Sequence, residues 1–241
     1  LTSQNFEISI VIPCHNAEKF LEKTIGYLCT QLRPDEELIL VENGSTDETY
    51  RTLEQFVSQW TSQNIKITQS PKGLGLALKH GVLLAKGKKI VFMEDDLPFG
   101  LQELNLARNL NLVDDYLIMS KYHGNLKGVS FRKIQGLVFV VLREIILKLK
   151  VKDSQATFLG DAIVIKKLAA ASKQSGFLVT LEFIALARKT GIKIVEIPCE
   201  SLAIPIRPTT LKFRDAFKMF LGLFEVRRSI RKEFEMNRKR K

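Results

Sequence analysis

Short unbroken apolar runs alternate with stretches of helical period through the first part of the chain. Residues 8–12 (Ile-Ser-Ile-Val-Ile), 37–41 (Glu-Leu-Ile-Leu-Val), 65–68 and 90–93 (Ile-Val-Phe-Met) are strand-like and rich in β-branched residues. A run of consecutive apolar residues such as 90–93 predicts a strand covered on both faces, as in a parallel sheet. Residues 17–32, 48–59 and 76–85 have the helical period, for instance Phe20, Leu21, Ile25 and Leu28. Gly87 predicts the cap of the third helix. Strand and helix in alternation, joined by short connections, predict an α/β fold with a mostly parallel sheet and right-handed crossovers. Ligands then bind beyond the carboxyl ends of the strands, where residues 14–18, 42–47 and 94–96 fall.

From Tyr116 the pattern changes. Residues 116–120 predict a strand, 121–132 a basic loop, and 134–150 a helix whose apolar positions are Ile134, Leu137, Val138, Val141, Leu142, Ile145, Ile146 and Leu149. Arg143, Lys148 and Lys150 are its polar residues, at the far end. This helix is either a core element or one lying on a membrane surface. A polar loop at 153–158, a short strand at 161–165, helices at 166–175 and 178–190, a cap at Gly191 and a strand at 192–198 follow. Residues 210–230 place Phe213, Phe217, Phe220, Leu221 and Phe224 on one helical face, bordered by Lys212, Arg214, Lys218, Arg227 and Arg228. Such a helix either lies in a membrane interface or packs on the domain. The expected organisation is one domain over residues 1–209 and a basic amphipathic helix and tail over 210–241.

The run 90–93 ends in three consecutive carboxylates, Glu94, Asp95 and Asp96. Extended backbone sends Glu94 and Asp96 to one side and Asp95 to the other. The triplet is either a solvated acidic turn or a place where a divalent cation is held by one or two carboxylates and phosphate oxygens. A net charge of +11, from 37 Lys and Arg against 26 Asp and Glu, favours anionic partners such as nucleotide phosphates or an anionic membrane surface. No recognisable nucleic-acid motif accompanies it. Cys14, Cys29 and Cys199 are scattered, with neither a disulfide framework nor a zinc spacing, which fits a reducing compartment. The Gly73-x-Gly75 turn lacks the third glycine and distal acid of a dinucleotide fingerprint.

Six segments in order resemble the family 2 glycosyltransferases, and within them the dolichyl- and polyprenyl-phosphate mannosyl- and glucosyltransferases. Ile10-Val11-Ile12-Pro13-Cys14-His15-Asn16-Ala17-Glu18 is similar to the family's V-I-P-x-x-N-E, and Val41 to Asp47 to V-D-D-G-S-x-D. Glu94-Asp95-Asp96 stands in the place of the D-x-D metal motif. Ser120-Lys121-Tyr122 resembles S-R-Y, residues 152–158 resemble D-T-Q-C-G-F, and residues 191–198 match G-x-x-I-x-E-I-P.

The resemblance implies a GT-A fold and an inverting transfer of a hexose, mannose or glucose, from a GDP- or UDP-sugar. The implied acceptor is a polyprenyl or dolichyl phosphate, and the implied setting is peripheral, on the cytoplasmic face of a membrane. A divalent metal, Mg²⁺ or Mn²⁺, would be held by Glu94 and Asp96, with Asp96 and Asp153 as the catalytic residues. Pro13, His15, Asn16, Glu18, Glu42, Gly44, Ser45, Lys72, Asp95 and Gln155 would surround the nucleotide sugar. Lys121, Arg132 and Arg207 would hold the acceptor phosphate. A saccharide or protein hydroxyl is the alternative acceptor, with Asp153 as base, and a non-catalytic nucleotide- or membrane-binding relative is the other alternative. Three departures from the pattern stand out: Glu94 replaces Asp, Glu42-Asn43 replaces Asp-Asp, and Thr157 replaces Gly.

Overall fold

The computed structural model describes residues 5–60, 64–110, 116–122, 131–154, 157–200 and 213–239, with side chains described except at 116–122, 131–137, 213–217 and 233–239. The first part runs β1 (Ile8–Cys14), α1 (Glu18–Thr30), β2 (Glu36–Asn43), α2 (Thr49–Ser58), β3 (Ile65–Ser70), α3 (Leu74–Leu84), β4 (Lys89–Phe92) and α4 (Gln102–Asn109). The second runs β5 (Tyr116–Tyr122), α5 (Phe131–Leu147), β6 (Phe158–Asp161), α6 (Ala162–Ala171), α7 (Val179–Thr190), β7 (Lys193–Cys199) and α8 (Phe213–Lys239). The sheet order is β3-β2-β1-β4-β6-β5-β7. The β3-β2-β1-β4 part is parallel, β6 runs antiparallel to β4 and β5, and β7 is parallel to β5.

The unbroken apolar runs are explained by burial on both faces. Val11, Ile39, Val41, Ile90 and Phe92 join Ala77, Leu78 and Val82 of α3 and Leu181 and Phe183 of α7 in one core. Their neighbours in sequence, Ile10, Ile12, Leu38, Leu40 and Val91, join Leu21, Ile25 and Leu28 of α1, Leu53 of α2 and Leu104 of α4 in the other. Each fully buried Leu or Ile contributes about 1.5–3 kcal/mol relative to exposure, so both layers fix the sheet's register. Pro13 is tolerated inside a central strand because the β1–β4 ladder ends at Val11↔Phe92. Its missing N–H points toward the side β4 has already left.

Four expectations change. Residues 161–165 are not a strand: β6 lies at Phe158–Asp161, and Asp161 caps α6 by accepting from the N–H groups of Ile163 (2.8 Å) and Val164 (3.3 Å). Gly87 is not the cap of α3, which ends on extended Ala85. Instead, a Cβ at Gly87 would lie 2.5 Å from the Ser9 nitrogen, so glycine permits the close approach of this turn to β1. Arg143 is not at a polar helix end but fully buried. Lys121 lies in β5 rather than in a loop, and α4 was not anticipated. Gly191 caps α7 in the left-handed region, with φ 83°, as expected.

Candidate active site

Parallel register brings the ends of β1 and β2 level, Cys14 opposite Glu42, with Gln69 of β3 beside them. The loops that follow are tied to one another. The Asn16 N–H donates to Ser45 Oγ at 3.1 Å, and Asn16 Oδ1 accepts from the Thr46 N–H at 2.8 Å. Ala17 N–H donates to Thr49 Oγ1 (2.8 Å) and Glu18 N–H to Asp47 Oδ2 (3.3 Å). The first amides of α1 are therefore spent on the second loop, and Asn16 takes left-handed φ 49° to reach it. Burial works to raise the Asp47 carboxyl, but bonds from the Thr49 hydroxyl and from nearby backbone N–H groups outweigh it and hold it below its ordinary value.

His15 Nδ1 lies 2.9 Å from the Asn43 carbonyl oxygen. A carbonyl only accepts, so Nδ1 carries the proton, and in the neutral ring Nε2 is left as an acceptor. The Asn43 side chain accepts from the Gly73 N–H at 2.6 Å, which brings the loop after β3 to the loop after β2. Gly44, at φ 59°, sits against Lys72: a Cβ there would meet Lys72 Cβ at 2.8 Å. Buried Glu42 accepts from the Ser45 N–H at 2.5 Å through Oε1. The α3 N-terminus is closed by protein, since Ser175 O accepts from Gly75 N–H (2.9 Å) and Leu76 N–H (3.3 Å). Gly73 and Gly75 serve that contact, a use unrelated to a dinucleotide.

The acidic triplet follows β4. Asp95 is buried and turns inward: its Oδ2 accepts from the His15 N–H at 3.1 Å, and its carbonyl accepts from Thr24 Oγ1 of α1 at 2.8 Å. Asp95, expected among the residues around the nucleotide, braces the His15 loop. Pro13 is likewise buried. Glu94 is exposed and Asp96 half-buried. A turn closes behind them with Leu97 N–H donating to Glu94 O at 3.2 Å, and Leu97 takes φ 46° while almost fully buried. A left-handed leucine costs about 1–3 kcal/mol, and such strain gathers at functional sites.

Two residues join this group that the sequence pattern did not reveal. Glu103, buried in the first turn of α4, accepts from Thr157 Oγ1 at 2.8 Å. The hydroxyl at position 157, where the family pattern has glycine, thus anchors a buried carboxylate. Crowding by protein and then the charges of Asp96, Asp95, Glu103 and Asp153 push the Glu94 carboxyl up to about 8. The Glu94 side chain nonetheless presents surface to water, which screens these charges in part. Arg143, the second residue, donates to the Val151 carbonyl and lies within electrostatic reach of Asp153 and Glu196; burial pulls its guanidinium down against those acids.

Among the described residues, no three His, Cys, Asp or Glu side chains assemble a metal cage by themselves. The donor set nevertheless fits a hard divalent cation. Burial and then the neighbouring charge of Asp96 push the Glu94 carboxyl up, and a cation held by the two would relieve that repulsion. Mg²⁺ or Mn²⁺ keeping water or diphosphate oxygens suits such a half-shell. Lys121 stands near the end of β5 and Arg132 in the first turn of α5, but their side chains lie outside the described ones. Gln155 and Arg207 lie outside the described residues altogether.

The mostly parallel sheet, with cross-tied loops at its strand ends and an acidic turn after β4, has the architecture of the GT-A fold. Residues 9–108 match the family described as glycosyl transferase family 2. The chain is 26% identical over 240 residues to a dolichyl-phosphate beta-glucosyltransferase of Trichomonas vaginalis, covering 91% of this chain and 72% of that one. It is 27% identical over 135 residues to the dolichyl-phosphate beta-glucosyltransferase of Dictyostelium discoideum, covering 52% of this chain and 39% of that one. A glucosyl-3-phosphoglycerate synthase from Mycobacterium tuberculosis, crystallised with Mn²⁺, UDP and glucosyl-3-phosphoglycerate, superposes with TM-score 0.67 at 18% identity, over 95% of this chain and 80% of that one. The likeness to family 2 glycosyltransferases is thereby shown, and with it the GT-A fold.

Proposed function

We propose that the protein transfers glucose from UDP-glucose to a polyprenyl or dolichyl phosphate, with a divalent cation, at the cytoplasmic face of a membrane. The observation that carries this reading is the gathering of Glu94, Asp95, Asp96, Glu103 and Asp153 beside the tied loops of β1 and β2. The names of the relatives favour glucose and a lipid phosphate, and UDP with Mn²⁺ in the neighbouring structures favours that donor and metal.

In this reading Glu94 and Asp96 hold the cation, which when bound stabilises charge on the departing diphosphate. Glu42, His15 and Ser45 border the nucleoside, and Glu42 receives a base N–H. Asn16, Gly44 and Lys72 line the same cleft, and Glu18 braces its outer edge by accepting from the Glu48 N–H at 3.4 Å. Lys121, Arg132 and Arg207 hold the acceptor phosphate, whose oxygen is ionised near neutral pH and needs no strong base. Asp153 and Gln155 border the sugar and the acceptor.

The membrane setting is supported by two neighbouring helices. α5 exposes Val138, Val141 and Ile145, and α8, packed against it, exposes Leu221 and Phe224. Lys218, Arg227 and Arg228 are exposed on α8, and Lys148 just past the end of α5. Apolar positions with basic neighbours suit an anionic lipid surface. Among the described residues no helix is long and apolar enough to cross a membrane.

The experiment is a transfer assay with UDP-glucose and Mn²⁺ against a polyprenyl phosphate and, separately, a sugar hydroxyl. A second reading, with the hydroxyl as acceptor, draws on the placement of Asp153 beside Glu94. Asp153→Asn decides between them: a mild effect fits phosphate, and a large fall in kcat fits a hydroxyl that needs a base.

A further inference from the structure

The segment between α5 and β6 carries Asp153 and is held by side chains at almost every step. Arg188 of α7 donates to the Lys148 carbonyl, and Arg143 of α5 donates to the Val151 carbonyl. Glu196 of β7 accepts through one oxygen, Oε1, from the N–H of Lys152 at 2.6 Å and from that of Asp153 at 3.3 Å. Thr180 Oγ1 donates to the Ser154 carbonyl at 2.9 Å. The anchors come from α5, α7 and β7. Lys148 begins the segment in the left-handed region, at φ 53°.

Packing alone does not hold this loop. A cleft of ≈ 250 Å³, lined by Leu149, Lys150, Val151, Arg188, Ile194 and Glu196, opens against it. Leu149 and Val151 are buried, but Lys152 is exposed and Asp153 half-buried. Polar bonds must supply the remaining rigidity. A carboxylate that accepts two successive N–H groups forms charge-assisted bonds and fixes the backbone angle between them. That angle sets where the Asp153 side chain leaves the chain.

We propose that Glu196 is a positioning residue: by accepting from the N–H groups of both Lys152 and Asp153, it fixes the loop so that Asp153 stands beside the acidic triplet. Arg143 secures the preceding turn at Val151 from below. The inference rests on the reading that Asp153 borders the transferred sugar and the acceptor, and it gives a role to residues 191–198, the last segment that resembles the family pattern.

The test uses Glu196→Ala, Glu196→Gln, Asp153→Ala and the double variant Glu196→Ala/Asp153→Ala in the full chain. Hydrogen exchange reads the clamp without turnover. In Glu196→Ala the Lys152 and Asp153 amides should exchange about 10-fold faster or more, the loss expected for bonds to a charged acceptor. Glu196→Gln, which keeps a carbonyl acceptor, should restore most of the protection. In glucose transfer from UDP-glucose to a polyprenyl phosphate, where Asp153 borders the sugar and supplies no base, Glu196→Ala and Asp153→Ala should lower kcat by the same mild factor, below about 10-fold. KM for UDP-glucose should hold, and the double variant should be no worse than either single one.

Unchanged exchange in Glu196→Ala would overturn the clamp. Additive losses in the double variant, or a loss in Glu196→Ala with none in Asp153→Ala, would overturn its action through Asp153. Absence of transfer by the unaltered protein defeats the proposed function instead, and the exchange result is then read independently.

Discussion

The two ends of the sheet hold their loops by different means. On the β1–β2 side, the loops are bonded to one another by short polar side chains: Asn16 to Ser45 and Thr46, Ala17 to Thr49, Asn43 to Gly73. On the β6–β5–β7 side, the loop that carries Asp153 is pinned by long charged side chains reaching from elsewhere, Arg143, Arg188 and Glu196. The first arrangement grows from residues adjacent to parallel strand ends, so local sequence determines it. The second depends on helices and an edge strand that meet only in the folded chain. Under the proposed function the locally tied wall holds the nucleotide and the remotely pinned one the acceptor, so the acceptor can change without disturbing donor binding.

The largest expected break in this contrast is at the acids between the walls. Asp96→Ala should lower metal-dependent transfer by at least about 10²-fold, the scale for removing one group that stabilises charge in the transition state, as measured by kcat with UDP-glucose and Mn²⁺. Retained activity would remove the triplet from the chemistry. Next is the anchor of the donor wall. A Cβ at Gly75 would come within 2.5 Å of the Gln174 carbonyl oxygen, so Gly75→Ala should destabilise the fold by about 1–3 kcal/mol in urea unfolding.

A smaller effect follows from the Glu94 carboxyl, raised from 4.5 to about 8. Between those values the folded protein binds a proton that the unfolded chain has released. Stability contributed by this group is therefore complete at acid pH and falls as pH rises through the window. Its exposure to water screens the charges, so the fall is less than the full shift implies. Thermal unfolding without metal should show the decline, and Mn²⁺ should stabilise more at pH 8 than at pH 5 because binding releases the proton. Equal stabilisation at both would disconnect Glu94 from the cation. The mildest effect lies on the outer face. Ile145→Ser with Phe224→Ser should leave unfolding within about 0.5 kcal/mol, as surface changes do, while reducing flotation with phosphatidylserine vesicles. Unchanged flotation would remove these helices from the membrane reading.

The same contrast governs what could be read from sequence. The strands of the first part were legible because burial on both faces leaves an unbroken apolar run, and parallel topology then places the loops after β1, β2 and β4 together. The run Ala162-Ile163-Val164-Ile165 misled for the same reason: a short apolar run does not distinguish a strand from a buried helix, and the signal that decides it is Asp161 as N-cap. Arg143 falls among the polar residues at the end of a helical pattern, and only the tertiary position of Val151 makes it a buried donor. Helix α4 is short, and Glu103 acquires its meaning only once Thr157, just before β6, meets it.

The central claim is tested most directly by incubating the purified protein with radiolabelled UDP-glucose, Mn²⁺ and a polyprenyl phosphate in detergent, and counting label in the extracted lipid. The account predicts labelled lipid that disappears with EDTA and in Asp96→Ala. No labelled lipid, together with no Mn²⁺-dependent binding of UDP, would contradict it.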